Sequence, residues 1–379
     1  MTDNTEEESQ KFLFFLQRSI EMAHSERIED RLKSIKVLLN LVNTQFFPDI
    51  LCDNMNNLTL IIQHCILEAE NRNEHDNAIF LECSFSLSTF LQFECYANTI
   101  LNEMLSQIYT LRNNQSLRFF GIGFISAFSL SRNDQKADIT NRLISILTSH
   151  HTNQSNYSSD ATAEIIRSIS ILISSQPPQY VKENLPLLET FISIVLESRK
   201  VSAIASVLEL FSIIFESLLM YPFPKPDSIP SDAVEHPADT FAQKFLDQFN
   251  HLEDIGTTKN EKTILKKAIR IAIETSERKK AQEIFAVLEQ KVHIEGRRKL
   301  CLMSAIKRVT QSNFQTVLGI NENIQDYFNY TVLSVQKARR EKKRNKEQIK
   351  SDRVQTSKGK KQNISKMRKQ KDDRLNDPF

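Results

Sequence analysis

Apolar residues recur at spacings of three and four along most of the chain. Between residues 26 and 43, for example, Ile28, Leu32 and Ile35 begin such a series. This spacing places apolar side chains on one face of an amphipathic helix. The same pattern predicts further helices near residues 55–70, 77–93, 95–111, 114–130, 136–150, 158–175, 181–197 and 200–220.

The gaps between these predicted helices are short and polar, as at Asn113-Asn114 and Arg132-Asn133-Asp134. Helices of about 15–20 residues with short gaps are typical of antiparallel helix pairs that repeat every 40 residues or so. The rhythm therefore predicts an all-α fold, a HEAT or armadillo-like α-solenoid. No repeating consensus accompanies it, so a compact, irregular helical domain is the alternative.

Local composition divides the chain into five parts. Residues 1–10 are polar and acidic and are predicted to be disordered. Five prolines between 222 and 237 exclude a helix there, because proline lacks the amide donor. The predicted parts are a disordered start (1–10), a helical-repeat domain (11–221), a Pro-rich loop (222–238), a C-terminal helical block (239–335) and a basic tail (336–379).

The C-terminal helical block continues the helical pattern after the prolines. Its apolar spacing predicts five helices, which lie near 239–252, 260–276, 278–291, 297–312 and from Asn321 onward.

Charge is distributed unevenly between the tail and the rest of the chain. Residues 337–374 hold 17 Lys/Arg against five Asp/Glu, a net charge of +12. The whole chain carries +2, and residues 1–336 carry −9. A basic arm on an acidic body indicates a polyanionic partner, either nucleic acid or an acidic protein surface.

The basic tail is the main candidate site for phosphate contact. A Lys or Arg that neutralises a phosphate releases counterions and makes binding depend steeply on salt. No aromatic residue lies between Tyr330 and Phe379, so base stacking is unavailable and contacts with the RNA backbone are favoured. The first tail cluster is the primary candidate, with a basic pair upstream as a weaker one: Lys337, Arg339, Arg340, Lys342, Lys343, Arg344 and Lys346, then Lys307 and Arg308.

Two other roles for the tail stay open. The first cluster alone has the composition of a nuclear-import signal, and the whole tail could simply increase solubility. The import role is compatible with phosphate binding.

Composition excludes several classes of protein. Only 6 glycines and no tryptophan occur, whereas Phe is abundant at 24, which is typical of a helical protein with a Phe-rich core. None of the five cysteines has Cys-x-x-Cys spacing, which argues against a zinc site, and Cys65, Cys83 and Cys95 are expected in or near the core. The odd cysteine number and the lack of a signal sequence predict a reducing compartment, the cytoplasm or nucleus. No run of 18 apolar residues occurs, so no membrane span is expected.

Motifs for catalysis or cofactor binding are not found. The adjacent His150 and His151 do not share a helix face and do not form a metal pair. Gly121 and Gly123 lie in an apolar run and indicate close helix packing rather than a phosphate loop. We therefore expect a non-enzyme with no cofactor, metal or small-molecule substrate.

One stretch carries a family resemblance. Residues 300–333 hold Phe314, Leu318 and Gly319 in Phe-x-x-x-Leu-Gly spacing, followed by Asn329 and the basic tail. With Lys307-Arg308 upstream and the helix-forming segment ERIEDRLKSIKVLLNLV near the start, the chain resembles the interferon-related developmental regulator family. It departs from that family at three positions: Ala305 stands in place of Trp, Asn321 in place of Gly and Gln325 in place of His.

The resemblance implies a non-catalytic armadillo-like protein with two linked activities. One is binding to ribosomes and ribosomal RNA with modulation of translation, and the other is transcriptional co-regulation with histone deacetylase complexes. The first is our prediction because the basic arm suits it. A nuclear scaffold whose tail serves for import is the first alternative, and an adaptor that binds peptides on the solenoid surface is the second.

Overall fold

The computed structural model describes residues 3–45, 47–68, 81–83, 85, 94–107, 115–149, 157–222, 236–287 and 290–330. The chain divides into two compact units, Met1–Phe328 and Asn329–Phe379. Only Asn329 and Tyr330 of the second unit are described, so the predicted basic tail from residue 336 lies outside the described residues.

The described part of the first unit is almost entirely helical, which confirms the all-α class. Its helices are α1 Asp3–Ala23, α2 Ile28–Thr44, α3 Pro48–Asp53, α4 Met55–Glu68, α5 Glu94–Gln107, α6 Gln115–Ser129, α7 Asn133–Ser149, α8 Ser159–Ser175, α9 Pro178–Glu183, α10 Leu185–Glu197, α11 Val201–Met220, α12 Pro237–Phe249, α13 Lys259–Ser276, α14 Arg297–Thr310, α15 Phe314–Ile320 and α16 Glu322–Phe328. Two 3₁₀ turns, Leu252–Ile255 and Gln311–Asn313, and two strands, β1 Gln282–Val287 and β2 Gln290–Glu295, complete it.

The first helix begins earlier than the sequence predicts. It starts at Asp3, so the prediction of disorder is wrong for residues 3–10. Glu7 accepts a hydrogen bond from Lys11 one turn later, at 2.6 Å, and such i, i+4 pairs favour the helix. The next turns bury Phe12 and Leu16 completely, which anchors the polar start to the core.

A layer of neighbouring helices forms the centre of the unit: α6 packs on α8, α8 on α11, and α11 on α13. Helices α6 and α8 approach closely, since a Cβ atom on Gly123 would lie 2.6 Å from the Cα of Ser168. The hydroxyl of Ser168 donates to the carbonyl oxygen of Phe119 at 2.5 Å. The predicted close packing at this glycine is confirmed.

Helices α7, α10 and α12 pack against the layer from outside it. A cluster of phenylalanines joins α12 to α11, with the ring of Phe211 4.9 Å from Phe241, 6.2 Å from Phe245 and 5.0 Å from Phe249, centroid to centroid. Aromatic pairs at these separations add to the energy of apolar burial. The chain therefore returns to the same core after the Pro-rich segment, most of which lies outside the described residues.

The layer contains one helix, α11, that is long and apolar enough to cross a membrane by length and composition. Its neighbours bury 72% of its most apolar window, as expected of a helix at the centre of a core. The cysteine predictions hold where they can be assessed, since Cys65 and Cys83 are buried. The side chain of Cys95 lies outside the described residues.

The predicted helix over 278–291 is wrong, because an antiparallel hairpin occupies this region. Arg278 has a φ of 60°, which ends the helical path after α13. Phe285 then pairs with Val292, and Val287 with Gln290, across β1 and β2. Phe285, Val287, Val292 and Ile294 are buried while the residues between them in each strand are exposed, which is the period of two that a strand requires.

The last three helices pack back onto the layer rather than forming a separate domain. α14 lies against α8 and α11, and α15 lies against α2 and β1. The ring of Tyr327 in α16 is 5.9 Å from that of Phe128 in α6. The predicted C-terminal block, as far as Phe328, thus belongs to the same compact unit as the helical array.

Candidate nucleic-acid interface

The predicted phosphate-binding residues fall into two groups. The seven cations of the first tail cluster lie outside the described residues. Lys307 and Arg308 lie in the last turn of α14, where basic side chains favour the negative end of the helix. The position of α14 therefore decides what these two side chains can contact.

The first turn of α14 is held to the layer by polar contacts. The backbone N–H of Arg298 donates to Oε2 of Glu216 in α11 at 2.8 Å. The guanidinium of Arg298 donates to the carbonyl oxygens of Ser174, at 3.2 Å, and of Gln176. These carbonyls end α8 and have no partner within that helix, so the arginine caps it. Burial lowers the pKa of Arg298.

Gly296 precedes α14 and allows this close approach. Its φ is 96°, a conformation that L side chains rarely adopt. A Cβ atom there would also meet the carboxylate of Glu216. Glycine is therefore required at this turn on both counts.

Arg308 takes part in an ionic cluster between α14 and α8, in which the carboxylate of Glu164 is buried. Its Nη1 lies 2.7 Å from Oε2 of Glu164, and its guanidinium carbon lies 4.1 Å from the ring centroid of Phe120. The other carboxylate oxygen of Glu164 accepts from Arg167 at 2.5 Å. Only 7% of the Glu164 side chain is exposed, whereas 40% of the Arg308 side chain is. The cluster joins α14 to the layer.

Lys307 differs from its neighbour. Adjacent helical residues point about 100° apart, so the two side chains face different surroundings. Lys307 is exposed, its Nζ is 5.9 Å from the ring centroid of Phe314, and no carboxylate in the described part of the chain pairs with it. Of the predicted pair, Lys307 can contact an external phosphate freely, and Arg308 is committed to Glu164.

A recess of about 290 Å³ lies beside this ionic cluster. Burial raises the pKa of Glu209 on its wall, and the nearby cations Arg167, Arg297 and Lys267 oppose that shift. Burial also raises the pKa of the Cys301 thiol. A protonated thiol is a poor nucleophile at neutral pH, so the recess has no activated nucleophile of this kind. The recess is lined by Phe120, Arg167, Ser170, Ile171, Glu209, Cys301, Ser304, Ala305 and Arg308.

The three positions that depart from the family pattern all have structural surroundings. Ala305 lines the recess, and its side chain is buried. Oδ1 of Asn321 accepts from the N–H of Ile324 at 3.2 Å, which caps α16. Nε2 of Gln325 donates to the carbonyl oxygens at the end of α15, those of Leu318 and Gly319, at 3.2 and 3.1 Å.

Sequence reasoning did not identify Glu164, Glu216 or Arg298, which position α14. Glu164 carried one visible signal, since it is an acid inside the apolar segment of α8. Glu216 and Arg298 are 82 residues apart and gave no signal. Within the described residues, no group of three His, Cys, Asp or Glu side chains could hold a metal ion.

A scan of the sequence against protein-family models finds no matching family, and a search of curated proteins finds no matching relative. The resemblance to interferon-related developmental regulators therefore stays a prediction that depends on the quoted residues.

Proposed function

We propose that this chain is a non-catalytic helical-repeat protein that binds ribosomal RNA through its basic C-terminal tail and thereby modulates translation. The observation that carries the proposal is the net charge of +12 on residues 337–374, against −9 on residues 1–336. Such an arm is attracted to a dense array of phosphates, whereas the acidic body is repelled by phosphates. The family resemblance, with its implied ribosome binding, agrees with this function.

A repeated local motif supports the helical-repeat part of the proposal. α3 and α9 are both six-residue helices with Pro at their first position, and each ends at an asparagine with nearly the same backbone angles. Asn54 donates through Nδ2 to the carbonyl of Ile50 at 2.8 Å, and Asn184 donates to that of Tyr180 at 2.9 Å. A longer helix follows each asparagine. Two copies of one helix–Asn–helix device are expected in a chain built from repeats.

The distance between the two copies matches a whole number of repeats. They lie 130 residues apart, which corresponds to three repeats of about 43 residues. This period falls within the range of HEAT and armadillo repeats, about 40–47 residues.

The packing of α14 bears on how a partner would bind. This helix covers parts of α8 and α11, with Arg298 and Arg308 holding it in place. A peptide adaptor would need that face open, so the contact argues against the adaptor alternative at this part of the layer. The tail, with its net charge of +12, is the better candidate for binding outside partners.

Deletion of residues 337–379 tests the proposal. Extracts of cells that produce the full chain or the deletion variant are sedimented through sucrose at low salt. We expect the full chain to migrate with ribosomes, to be released at high salt, and to lose this migration when the tail is absent. A variant with a tail of equal length, in which every Lys and Arg is replaced by Gln, controls for chain length.

The same experiment separates the alternatives. Undiminished migration with ribosomes after deletion would contradict the proposal. If an unrelated import signal in place of the tail restores function fully, the nuclear scaffold with a histone deacetylase-type complex is favoured instead. In a cell-free translation reaction, added full chain is expected to change reporter output, and the Gln-tail variant is not.

A further inference from the structure

The acidic body contains a basic region of its own. Residues 259–308 hold 14 Lys/Arg against six Asp/Glu, a net charge of +8, whereas residues 1–258 carry −15. The region covers α13, the hairpin and most of α14. Positive charge is therefore concentrated on the folded unit as well as in the tail.

Four cations of this region form one row along α13. Lys259, Lys262, Lys266 and Arg270 are separated by three, four and four residues and are all exposed. This spacing keeps them on one side of the helix, over a length of about 16 Å at 1.5 Å per residue. About 100° round the helix from Lys266, Leu265 is fully buried. We call these four side chains the cationic row.

The cationic row has little neutralisation from neighbouring acids. No carboxylate in the described part of the chain pairs with Lys259 or Lys262. Lys266 lies 3.5 Å from Glu253, and Arg270 lies 3.9 Å from Glu274, in pairs whose side chains are largely exposed. Exposed pairs of this kind are worth little, so a polyanion can compete with them.

Glu261, the acid in the first turn of α13, is bonded to the backbone rather than to the row. Glu261 accepts hydrogen bonds from the N–H groups of Thr257 and Thr258, at 2.9 and 3.0 Å, and from the hydroxyl of Thr257. It thus completes a capping box at the start of α13. These bonds lower the pKa of Glu261 to about 2, so its charge is already satisfied by the backbone.

Two cations of the row lie where positive charge destabilises a helix. Lys259 and Lys262 stand in the first turns of α13, at the positive end of the helix, where acids are favourable and cations are not. Departures from local rules of this kind are expected at functional or strained sites. An external negative charge at this end would remove the conflict.

We propose that the cationic row binds the phosphate backbone of folded RNA, as a second contact in addition to the tail. This inference names the RNA surface of the folded unit and rests on the proposed function for its partner class. Successive cations rise about 4.5–6 Å along the helix, a step comparable to the spacing of phosphates along a strand. Protein interfaces usually contain aromatic anchors, and the exposed face of α13 has one large apolar residue, Ile264, 41% exposed. The row therefore fits a phosphate backbone better than a protein surface.

The test measures how salt weakens binding of the full-length chain to a labelled 20-base-pair RNA hairpin of arbitrary sequence. The variant carries Lys259→Gln, Lys262→Gln, Lys266→Gln and Arg270→Gln. Each lost phosphate contact lowers the slope of log affinity against log salt by about one, so we expect a decrease of about four. We also expect the affinity at low salt to fall at least tenfold. An unchanged slope would overturn the inference.

A matched control removes four cations elsewhere on the same unit. Lys33 and Lys36 are exposed and have no ion pair among the described residues, and Lys11 and Arg142 form exposed pairs with Glu7 and Asp138. Their replacement by Gln gives the same change in net charge and should leave the slope unchanged. An equal effect of both variants would show that net charge alone acts, and would also overturn the inference. Unfolding temperatures within a few degrees of wild type confirm that both variants are folded.

Two further arms separate the partner classes and the two proposals. If a 20-residue poly-glutamate binds the wild-type chain as tightly as the hairpin and loses as much in the row variant, the row binds acidic chains in general and the RNA assignment is wrong. A full-length variant with the first tail cluster changed to Gln tests the tail separately. If only the tail variant loses binding, the proposed function is retained and the inference is overturned. If only the row variant loses binding, the inference is retained and the proposed function is overturned.

Discussion

Helices α8 and α13 have almost the same length, 17 and 18 residues, but opposite surroundings. Thirteen residues of α8 are buried, whereas only four of α13 are. α8 has neighbours on every side, since α6, α7, α11 and α14 all pack on it. α13 has a core on one side and solvent on the other. Polar residues accordingly have different roles: in α8 they connect helices, and in α13 they remain available to a partner.

The largest effect is expected where α8 packs closely on α6, because α13 has no such contact on its exposed side. Gly123→Leu would place a large side chain where even a Cβ atom lies 2.6 Å from the backbone of Ser168. We expect the free energy of unfolding to fall by about 3 kcal/mol or more, because the helices must separate. The midpoint of urea unfolding measures this loss.

Ser145→Leu is the control for the glycine substitution. Ser145 is exposed on α7, and the same side chain there should change stability by less than about 0.5 kcal/mol. A Gly123→Leu variant as stable as this control would show that α6 and α8 do not pack closely.

The ionic cluster on α8 gives a prediction of intermediate size. Arg308→Gln removes one of the two guanidiniums that contact the buried carboxylate of Glu164, and we expect a loss of about 2 kcal/mol. Lys307→Gln changes an exposed neighbour and should cost less than about 0.5 kcal/mol. Thermal unfolding of the two variants measures the difference.

RNA binding should show the reverse order for the same two residues. Lys307→Gln is expected to lower the salt dependence of RNA binding by about one unit of slope, and Arg308→Gln to lower it less. If Arg308→Gln and Lys307→Gln unfold at the same temperature, Arg308 does not stabilise the protein through the ionic cluster.

The smallest predicted effect concerns the capping box of α13. Hydrogen bonds to the carboxylate lower the pKa of Glu261 from 4.5 to about 2, so its contribution to stability is complete above about pH 4.5 and is lost as the pH falls towards 2. Glu261→Gln should therefore lower the unfolding temperature at neutral pH, and the gap to wild type should narrow below pH 4.5. A gap that stays constant between pH 7 and pH 3 would show that the charge of Glu261 does not matter.

The helices of the array were predictable from local patterns. The predicted helix over 158–175 corresponds to α8 within one residue, and that over 260–276 corresponds to α13 equally well. The hairpin was missed because residues 278–291 include helix-forming residues, and the alternation of Phe285 and Val287 is short. The structure alone shows that Asn54 and Asn184 share one local geometry.

Some features of the candidate site were likewise predictable from the sequence, and others were not. The charge of the tail follows from composition, and a local count over residues 259–308 would have found the second basic region. The sequence did not show that Lys307 and Arg308 have different surroundings, because Glu164, the partner of Arg308, is 144 residues away in α8. Glu164 is an acid within the apolar segment of α8, but the sequence does not show that α14 packs over it.

The sequence by itself determined which segments are helical and where positive charge accumulates, because helix periodicity and charge are properties of neighbouring residues. Only the tertiary structure decided which cations are available to a partner. Burial and ion pairing depend on residues that are distant in the chain and close in space, as with Arg308 and Glu164. The row on α13 is exposed because none of the helices in the described residues covers that side.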